Sequence, residues 1–533
     1  MMAGKQKKSL TTATIAICST LAVLSGCATS SGTSPSTSPA SASTAAQQEK
    51  PAKFTIMVPY FTSEPPKENS AFEQEIERRT NTDLTILWTS PNNYDDKFNV
   101  SLASGSLPEV ALNRVYPYSS AVRKAMVDGA FWEIGKYMGD YPNLSAIPKD
   151  TINNVLADDG KLYGLPRPRA VTGGLTFLIN KTWLDNLGLK EPTTMEEFYQ
   201  VAKAFTENDP DKNGKNDTYG FLSFVNNADL GEFSILGTPF LGASPSYNPS
   251  APAYGNTYRE ENGTVVNTLF DEGMKEFLTY ANKMYAEKII PQDLVVLKQT
   301  DVSNLVKQGK VGITTGQVSG GVGISQDIKK ADPASTSQFV PMQPLKGPKG
   351  YSFVMADAGF YGTFVINKDK VDEKLFKAIM KFLDYGASEE GNELFAYGVQ
   401  GVHSNKKGEI YDYTDLGKAE NVTAFGQLMN KYNKYLKAFY SGITDEQYAY
   451  NKKIIDEYDK INISSPYLGI VSETEMKSSR QYNKEATDLQ LKIIIGKEKL
   501  EKWDEFTTKL KSDSEFQKIE AEKLDAWKKR TQK

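Results

Sequence analysis

Between Asp209 and Asp217, oxygen-bearing side chains recur at alternate positions around a tight turn. Asp209, Asp211, Asn213 and Asp217 take positions 1, 3, 5 and 9 of the run, Gly214 stands at 6, and the main-chain carbonyl of Lys215 falls at 7. Alternating hard oxygens wrapped round a glycine turn suit a calcium ion, which makes these five residues a candidate structural metal loop. An EF-hand would place a bidentate glutamate at position 12, where Gly220 stands instead. The competing reading is a solvated acidic turn at the end of a helix.

Other chemistries are bounded by what the chain lacks. Its two cysteines, Cys18 and Cys27, lie within or at the end of an apolar leader, so the body has no disulfide, thiolate metal site or cysteine nucleophile. The single histidine, His403, excludes zinc sites built on several imidazoles and would have to carry any Ser-His-Asp triad alone. It follows Gly398 and Gly401 in a loop, where a structural hydrogen bond is its expected role. With 66 acidic residues a pair of carboxylates for glycoside hydrolysis is always available, yet no spacing singles one out and no eightfold βα alternation is present. No internal repeat suggests a surface scaffold, and no P-loop sequence occurs. Without the three lysines of residues 1–26, the 62 basic residues become 59 against 66 acidic, a net charge near −7. That mildly acidic balance is a poor match for nucleic acid. Tyr 28, Phe 25 and Trp 5 suit a protein that stacks against planar or ring-shaped ligands.

The elements that must position these residues follow from periodicity. Phe54–Val58 reads as a buried strand, Ser70–Arg79 as a helix with Phe72 and Ile76 on one face, and Leu84–Trp88 as a second strand. A helix over Tyr94–Ala103, stopped by Gly105 and Pro108, leads to a third strand at Glu109–Leu112. This order argues for an α/β sheet with helical crossovers. From Asp372 the chain turns strongly helical, with amphipathic stretches at Glu373–Tyr385, Ala424–Tyr440, Asp445–Lys460 and Glu473–Gly496 and a Lys/Glu-rich tail from Lys499 to Lys533. A body of roughly 480 residues exceeds one core, so two lobes are expected.

Ahead of the body, Lys5, Lys7 and Lys8 precede an apolar run from Leu10 to Leu24 that ends in Leu24-Ser25-Gly26-Cys27. The run is short and rich in Ser and Thr, which suits a secretory leader rather than a membrane span. No later segment approaches the length of a span. Leu-Ser-Gly-Cys resembles the lipobox of bacterial lipoproteins, which implies cleavage after residue 26 and a diacylglycerol anchor on Cys27; the alternative is an ordinary signal with an incidental cysteine. Residues 27–50, almost wholly Ala, Ser, Thr, Pro and Gln after the cysteine, cannot bury a core and read as a disordered tether.

Several further blocks occur together: Leu102-Ala103-Ser104-Gly105-Ser106-Leu107-Pro108-Glu109-Val110, Asp159-Gly160-Lys161-Leu162-Tyr163-Gly164-Leu165-Pro166, Trp183-Leu184-Asp185-Asn186-Leu187-Gly188-Leu189 with Pro192-Thr193-Thr194, Ser388-Glu389-Glu390-Gly391, and Tyr397 to His403. In this order they resemble the large solute-binding lipoproteins of bacterial ABC importers for oligosaccharides, nearest to the alginate-oligosaccharide-binding and LplA-like subgroup. The resemblance implies a two-lobed periplasmic-binding-protein-like α/β fold of type II with a helix-rich C-terminal part. Lobe 1 is expected over 51–165 and about 345–400, lobe 2 over about 166–344 and 401–533. It implies capture of an oligosaccharide without chemistry, delivery to membrane permease subunits, a monomer, and a position on the outer (or periplasmic) face of the cell membrane. It also implies a structural calcium at the Asp209–Asp217 loop, where Thr218 departs from the family's acidic residue.

Sugar rings offer apolar faces for stacking and hydroxyl edges for bidentate polar groups, and open α/β sheets bind ligands at the carboxyl ends of their strands. Tyr60 follows the first strand, Tyr116 and Tyr118 the third, Arg167 and Arg169 the Leu165-Pro166 crossing, and Phe360-Tyr361 precede a strand over Thr363–Ile366. Tyr258 falls near a position where the resembling family carries tryptophan. These eight residues are the expected ligand set, with Arg167 as a clamp for a carboxylate or sugar hydroxyls or as a hinge salt bridge.

Overall fold

The computed structural model describes residues 50–531 apart from 63, 115–118, 158, 227–228, 248–255 and 351, and apart from the side chains of 478–481. Cys27, the leader and tether, Tyr116 and Tyr118 therefore lie outside the described residues. No helix among the described residues is long and apolar enough to cross a membrane.

Two sheets organise the chain. The first has five strands in the order Thr82–Thr89, Ala52–Pro59, Val110–Asn113, Phe360–Ile366 and Gly164–Pro168. The Phe360–Ile366 strand is antiparallel to both neighbours, pairing Thr363 with Asn113 and Val365 with Gly164, while the Ala52 strand runs parallel to those on either side of it. Fully buried Ile56, Val58, Val110, Leu112 and Phe364 form its core with Phe72 and Ile76 from the helix Ala71–Thr80. That helix starts where it does because Ser70 accepts from the Glu73 amide, and ends at Asn81 in the left-handed conformation.

The second sheet has the order Phe339–Pro341, Thr176–Asn180, Val311–Gly316 and Tyr219–Phe221. Its core joins Phe177, Ile179 and Phe221 to Trp183, Phe198 and Phe205 of the flanking helices. The C-terminal helices are stapled to the same core, since Trp503 is buried there and donates to the Leu269 carbonyl at 3.2 Å.

Register fixes how the sheets are joined. The carboxyl ends of Ala52–Pro59, Thr82–Thr89, Val110–Asn113 and Gly164–Pro168 share an edge with the amino end of Phe360–Ile366. In the second sheet Thr176 pairs with Gly316 and Pro341 with Leu178. The crossings 169–175 and 342–359 thus both run between the carboxyl edges of the two sheets, where ligands of open α/β folds bind.

One expected element is absent. Over Ala424–Tyr440 the chain forms a single turn, Val422–Phe425, then runs without regular structure to a short 3-10 turn at Leu436–Ala438. Amphipathic spacing there reflects alternate packing, Val422 and Phe425 on the first core and Ala438 on a third cluster with Val318 and Ile455. Gly426, Asn430 and Asn433 are weak helix formers, and an uninterrupted helix would engage the Gly426 carbonyl that serves Arg167.

Candidate functional site

The carboxyl edge of the five-stranded sheet carries five of the expected residues. Arg167, in the Gly164–Pro168 strand, is 4% exposed. Its Nε donates to the Gly426 carbonyl at 3.2 Å, and Nη2 donates to the same oxygen. Its Nη1 is buried with no partner, and among the described residues it makes no salt bridge. The hinge ion pair is thus not what holds it. Arg169, two residues on and half-buried, lies 5.5 Å from the Tyr361 ring centroid in a cation–π arrangement, and its amide donates to Gly359. Tyr361 and Phe360 are half-buried against the first core. Tyr60, half-buried at the end of the first strand, donates its amide to Thr89.

Burial pulls the Arg167 guanidinium well below its ordinary pKa, with Arg169 adding repulsion, and burial likewise depresses Arg169. Arginine stays protonated in proteins, so these depressions express the cost of holding two charges out of water. Burial raises the Tyr361 phenol, and the neighbouring Arg114, Arg167 and Arg169 oppose that rise.

Residues that sequence reasoning passed over complete the group. Phe61 is 56% exposed and meets the Tyr361 ring edge-on with centroids 6.1 Å apart. Arg114, immediately after the third strand, pairs with Asp95 at 3.1 Å and leaves a buried Nη1 unpartnered. Trp88 ends the second strand with a buried Nε1 that has no partner, its ring against Phe425. From the irregular segment come Gln427 and Asn430, each with a buried side-chain oxygen lacking a partner, Asn430 donating to Pro168 at 2.5 Å. Arg114 and Phe61 were findable from the strand-end rule that selected Tyr60; Gln427 and Asn430 were not, because an expected helix covered them. Buried polar atoms normally find partners, so this concentration of open donors and acceptors marks a place built for a polar ligand.

Tyr258 belongs elsewhere. It is buried against Tyr467, 4.6 Å between centroids, and donates to Glu520 at 2.5 Å, with the Lys523 ammonium over its ring. This is a packing cluster joining the hairpin Tyr258–Asn267 to the last helix. His403 is also structural: Nδ1 accepts the Val399 amide at 3.1 Å, which leaves Nε2 to meet Glu420 at 3.0 Å.

Across the crossings, the second sheet presents Thr315, which donates to Glu232 at 2.7 Å and so accepts from the Ser223 hydroxyl at 2.7 Å. Burial raises the Glu232 carboxyl, and the Thr315 bond opposes that rise. A small cavity of about 30 Å³ lined in part by Thr176, Phe177, Gln343, Phe353 and Tyr458 shares no residue with the arginine group. Two of its hydroxyls are already engaged, Thr176 with Tyr458 and Tyr458 with the Met342 carbonyl.

In the Asp209–Asp217 loop, Asp209 accepts the Asn213 and Gly214 amides at 3.0 Å each. The Asn213 side-chain nitrogen sits between Asp211 (2.7 Å) and Asp217 (3.2 Å), the place of a positive charge. Burial, then Asp209 and Asp217, raise the Asp211 carboxyl. Asp217 is also paired with Lys310, and among the described residues no group of three or more Asp, Glu, His or Cys is assembled around one point.

Sequence comparison decides the family. Residues 63–393 match the model of bacterial extracellular solute-binding proteins, more than half of the chain. The chain belongs to this family. Among relatives of this solute-binding protein, the polygalacturonan/rhamnogalacturonan-binding protein YtcQ of Bacillus subtilis is 32% identical over 87% of this chain and 90% of its own. Lipoprotein LipO of Bacillus subtilis is 28% identical over 83% of this chain and 86% of its own. A solved solute-binding protein from Bifidobacterium longum infantis, described as HMO-binding and ABC-transporter-associated, superposes with a TM-score of 0.71 at 20% identity over 91% of this chain and 99% of its own. The fold is accordingly the two-lobed α/β arrangement of these proteins, and the chain is a bacterial extracellular solute-binding protein.

Proposed function

We propose that this solute-binding protein captures an oligosaccharide between its two sheets and hands it, unaltered, to the permease of an ABC importer. The observation that carries the reading is the carboxyl edge of the five-stranded sheet, where exposed Phe61 and half-buried Tyr361 stand beside Arg114, Arg167, Arg169 and the unpartnered polar atoms of Trp88, Gln427 and Asn430. Aromatic faces stack on the apolar side of a sugar ring, and the polar atoms take its hydroxyls. The carbohydrate ligand named for YtcQ supports the same class. Each lobe is one sheet with its own core: the first takes 50–168, 360–397 and on to Met429, the second takes 176–341 and the C-terminal helices from 473. The crossings are the hinge.

In this reading Cys27 carries the lipid that holds a monomer at the outer face of the membrane. The similarity to lipoprotein LipO supports the anchor. Asp209, Asp211, Asn213 and Asp217, with the Lys215 carbonyl, hold a structural calcium, which supplies only charge balance to the loop. No geometry in the described residues favours a hydrolase.

Incubation with mixed oligosaccharides tests the reading. A thermal upshift with the sugars recovered intact is expected; new reducing ends would establish an enzyme instead. Cys27→Ser should move the protein from the membrane fraction into the medium.

A further inference from the structure

Charges at the edge of the five-stranded sheet do not balance. Arg114 is met by Asp95 and Lys437 by Asp357. Arg167 and Arg169 have no carboxylate within salt-bridge distance among the described residues; Arg169 adds repulsion at Arg167, and the Tyr361 phenol is what opposes the depression of both. Two guanidinium groups side by side, one fully enclosed, repel each other and forgo hydration. Bonds to the Gly426 carbonyl and the Tyr361 ring offset part of that cost. Neutral sugar hydroxyls would be met equally well by Asn or Gln, at no charge penalty. A carboxylate, by contrast, takes a guanidinium's paired N–H groups in a charge-assisted contact and cancels the excess.

Resting on the oligosaccharide reading, we propose that the ligand is acidic, a uronate-containing chain whose carboxylate is received by Arg169 in the field of Arg167 behind it. Arg169 is the accessible member of the pair, and Tyr361 and Phe61 lie beside it to take the ring that bears the carboxylate. Arg167, fixed on Gly426, is a positioning residue whose remaining donor, Nη1, is open.

Calorimetric titration with matched pairs of ligands tests this. The pairs are oligogalacturonide and oligomannuronate trimers, each against its carboxyl-reduced counterpart. At least one acid should bind about tenfold or more tighter than its neutral partner, a gap that narrows as salt is raised. Arg169→Gln should close most of the gap with melting unchanged, and Arg169→Lys should retain part of it. Neutral members binding as tightly as acids would overturn the inference and leave the oligosaccharide reading intact. Failure of every acid and every neutral partner to bind would overturn both. A gap that survives Arg169→Gln in a variant with wild-type melting would remove Arg169 from the assignment.

Discussion

Arg167 brings a positive charge into a core-like setting with only a carbonyl oxygen to meet it. The penalty for an unpaired buried ion is several kcal/mol, whereas leaving the Gly426 carbonyl unsatisfied costs about 1–3 kcal/mol. The first outweighs the second. Arg167→Met should therefore leave the ligand-free protein as stable as the wild type or more so, as scanning calorimetry reads, while weakening ligand binding about tenfold or more. Glu73 is the other residue that trades stability. Burial, then Glu77, raises its carboxyl to about 7 against an Asn69 amide bond that lowers it. Its folded pKa lies above the unfolded one, so its contribution is full below the ordinary carboxylate range and is lost as pH rises through about 7. The wild-type melting temperature should fall between pH 5 and 8 relative to Glu73→Gln; parallel curves would show that Glu73 is not held protonated. Position in sequence placed Arg167 after a crossing and Tyr361 ahead of a strand, whereas both lie within strands, near their ends. It could not separate Tyr258, whose ring packs on Tyr467, because facing a cleft or a core depends on which helix comes to lie above.

Three crossing segments meet at one point. Lys437, from the 3-10 turn Leu436–Ala438, pairs with Asp357 of the 342–359 crossing, and a Cβ at Gly174 of the 169–175 crossing would lie 2.0 Å from the Asp357 carboxylate. Gly174→Ala must push Asp357 off its partner or strain the crossing, at about 1–3 kcal/mol, typical of overpacking. A fall in melting temperature is expected, together with a changed open-to-closed balance in solution scattering; wild-type behaviour in both would show that the crossings are not clamped there. The strands Phe54–Val58, Leu84–Trp88 and Glu109–Leu112 and the helix Ser70–Arg79 were legible because caps, turns and periodicity agree locally. The segment 424–440 was not. Its apolar spacing fits a helix, but its residues divide between two cores, and its carbonyl at Gly426 is committed to a strand far away in sequence.

At the scale of the molecule, stability and capture meet in charge balance. In the Asp209–Asp217 loop burial raises the Asp211 carboxyl, and repulsion from Asp209 and Asp217 adds to the rise. A cation between them relieves that repulsion, so millimolar calcium should raise the melting temperature over EDTA, and more so at pH 7.5 than at pH 5. A stabilisation of about 2.7 kcal/mol would correspond to calcium at a hundred times its dissociation constant; equal melting with and without the ion would leave a solvated turn. The C-terminal helices belong to the same accounting. Trp503 and Phe516 bury themselves in the second core, so removing residues 501–531 should expose that core and bring aggregation rather than a milder loss of affinity.

The sequence by itself determined the α/β class, the first three strands with the helix between them, and the oxygen spacing of the Asp209–Asp217 loop. Each of these is written in local order, in a period, a cap or a short spacing. Only the tertiary structure decided that both crossings join carboxyl edges, that Gly426 and not an acid meets Arg167, and that two positive charges stand together unmatched. Those are properties of registers and contacts between residues hundreds of positions apart, for which the spacing of residues along the chain carries no signal.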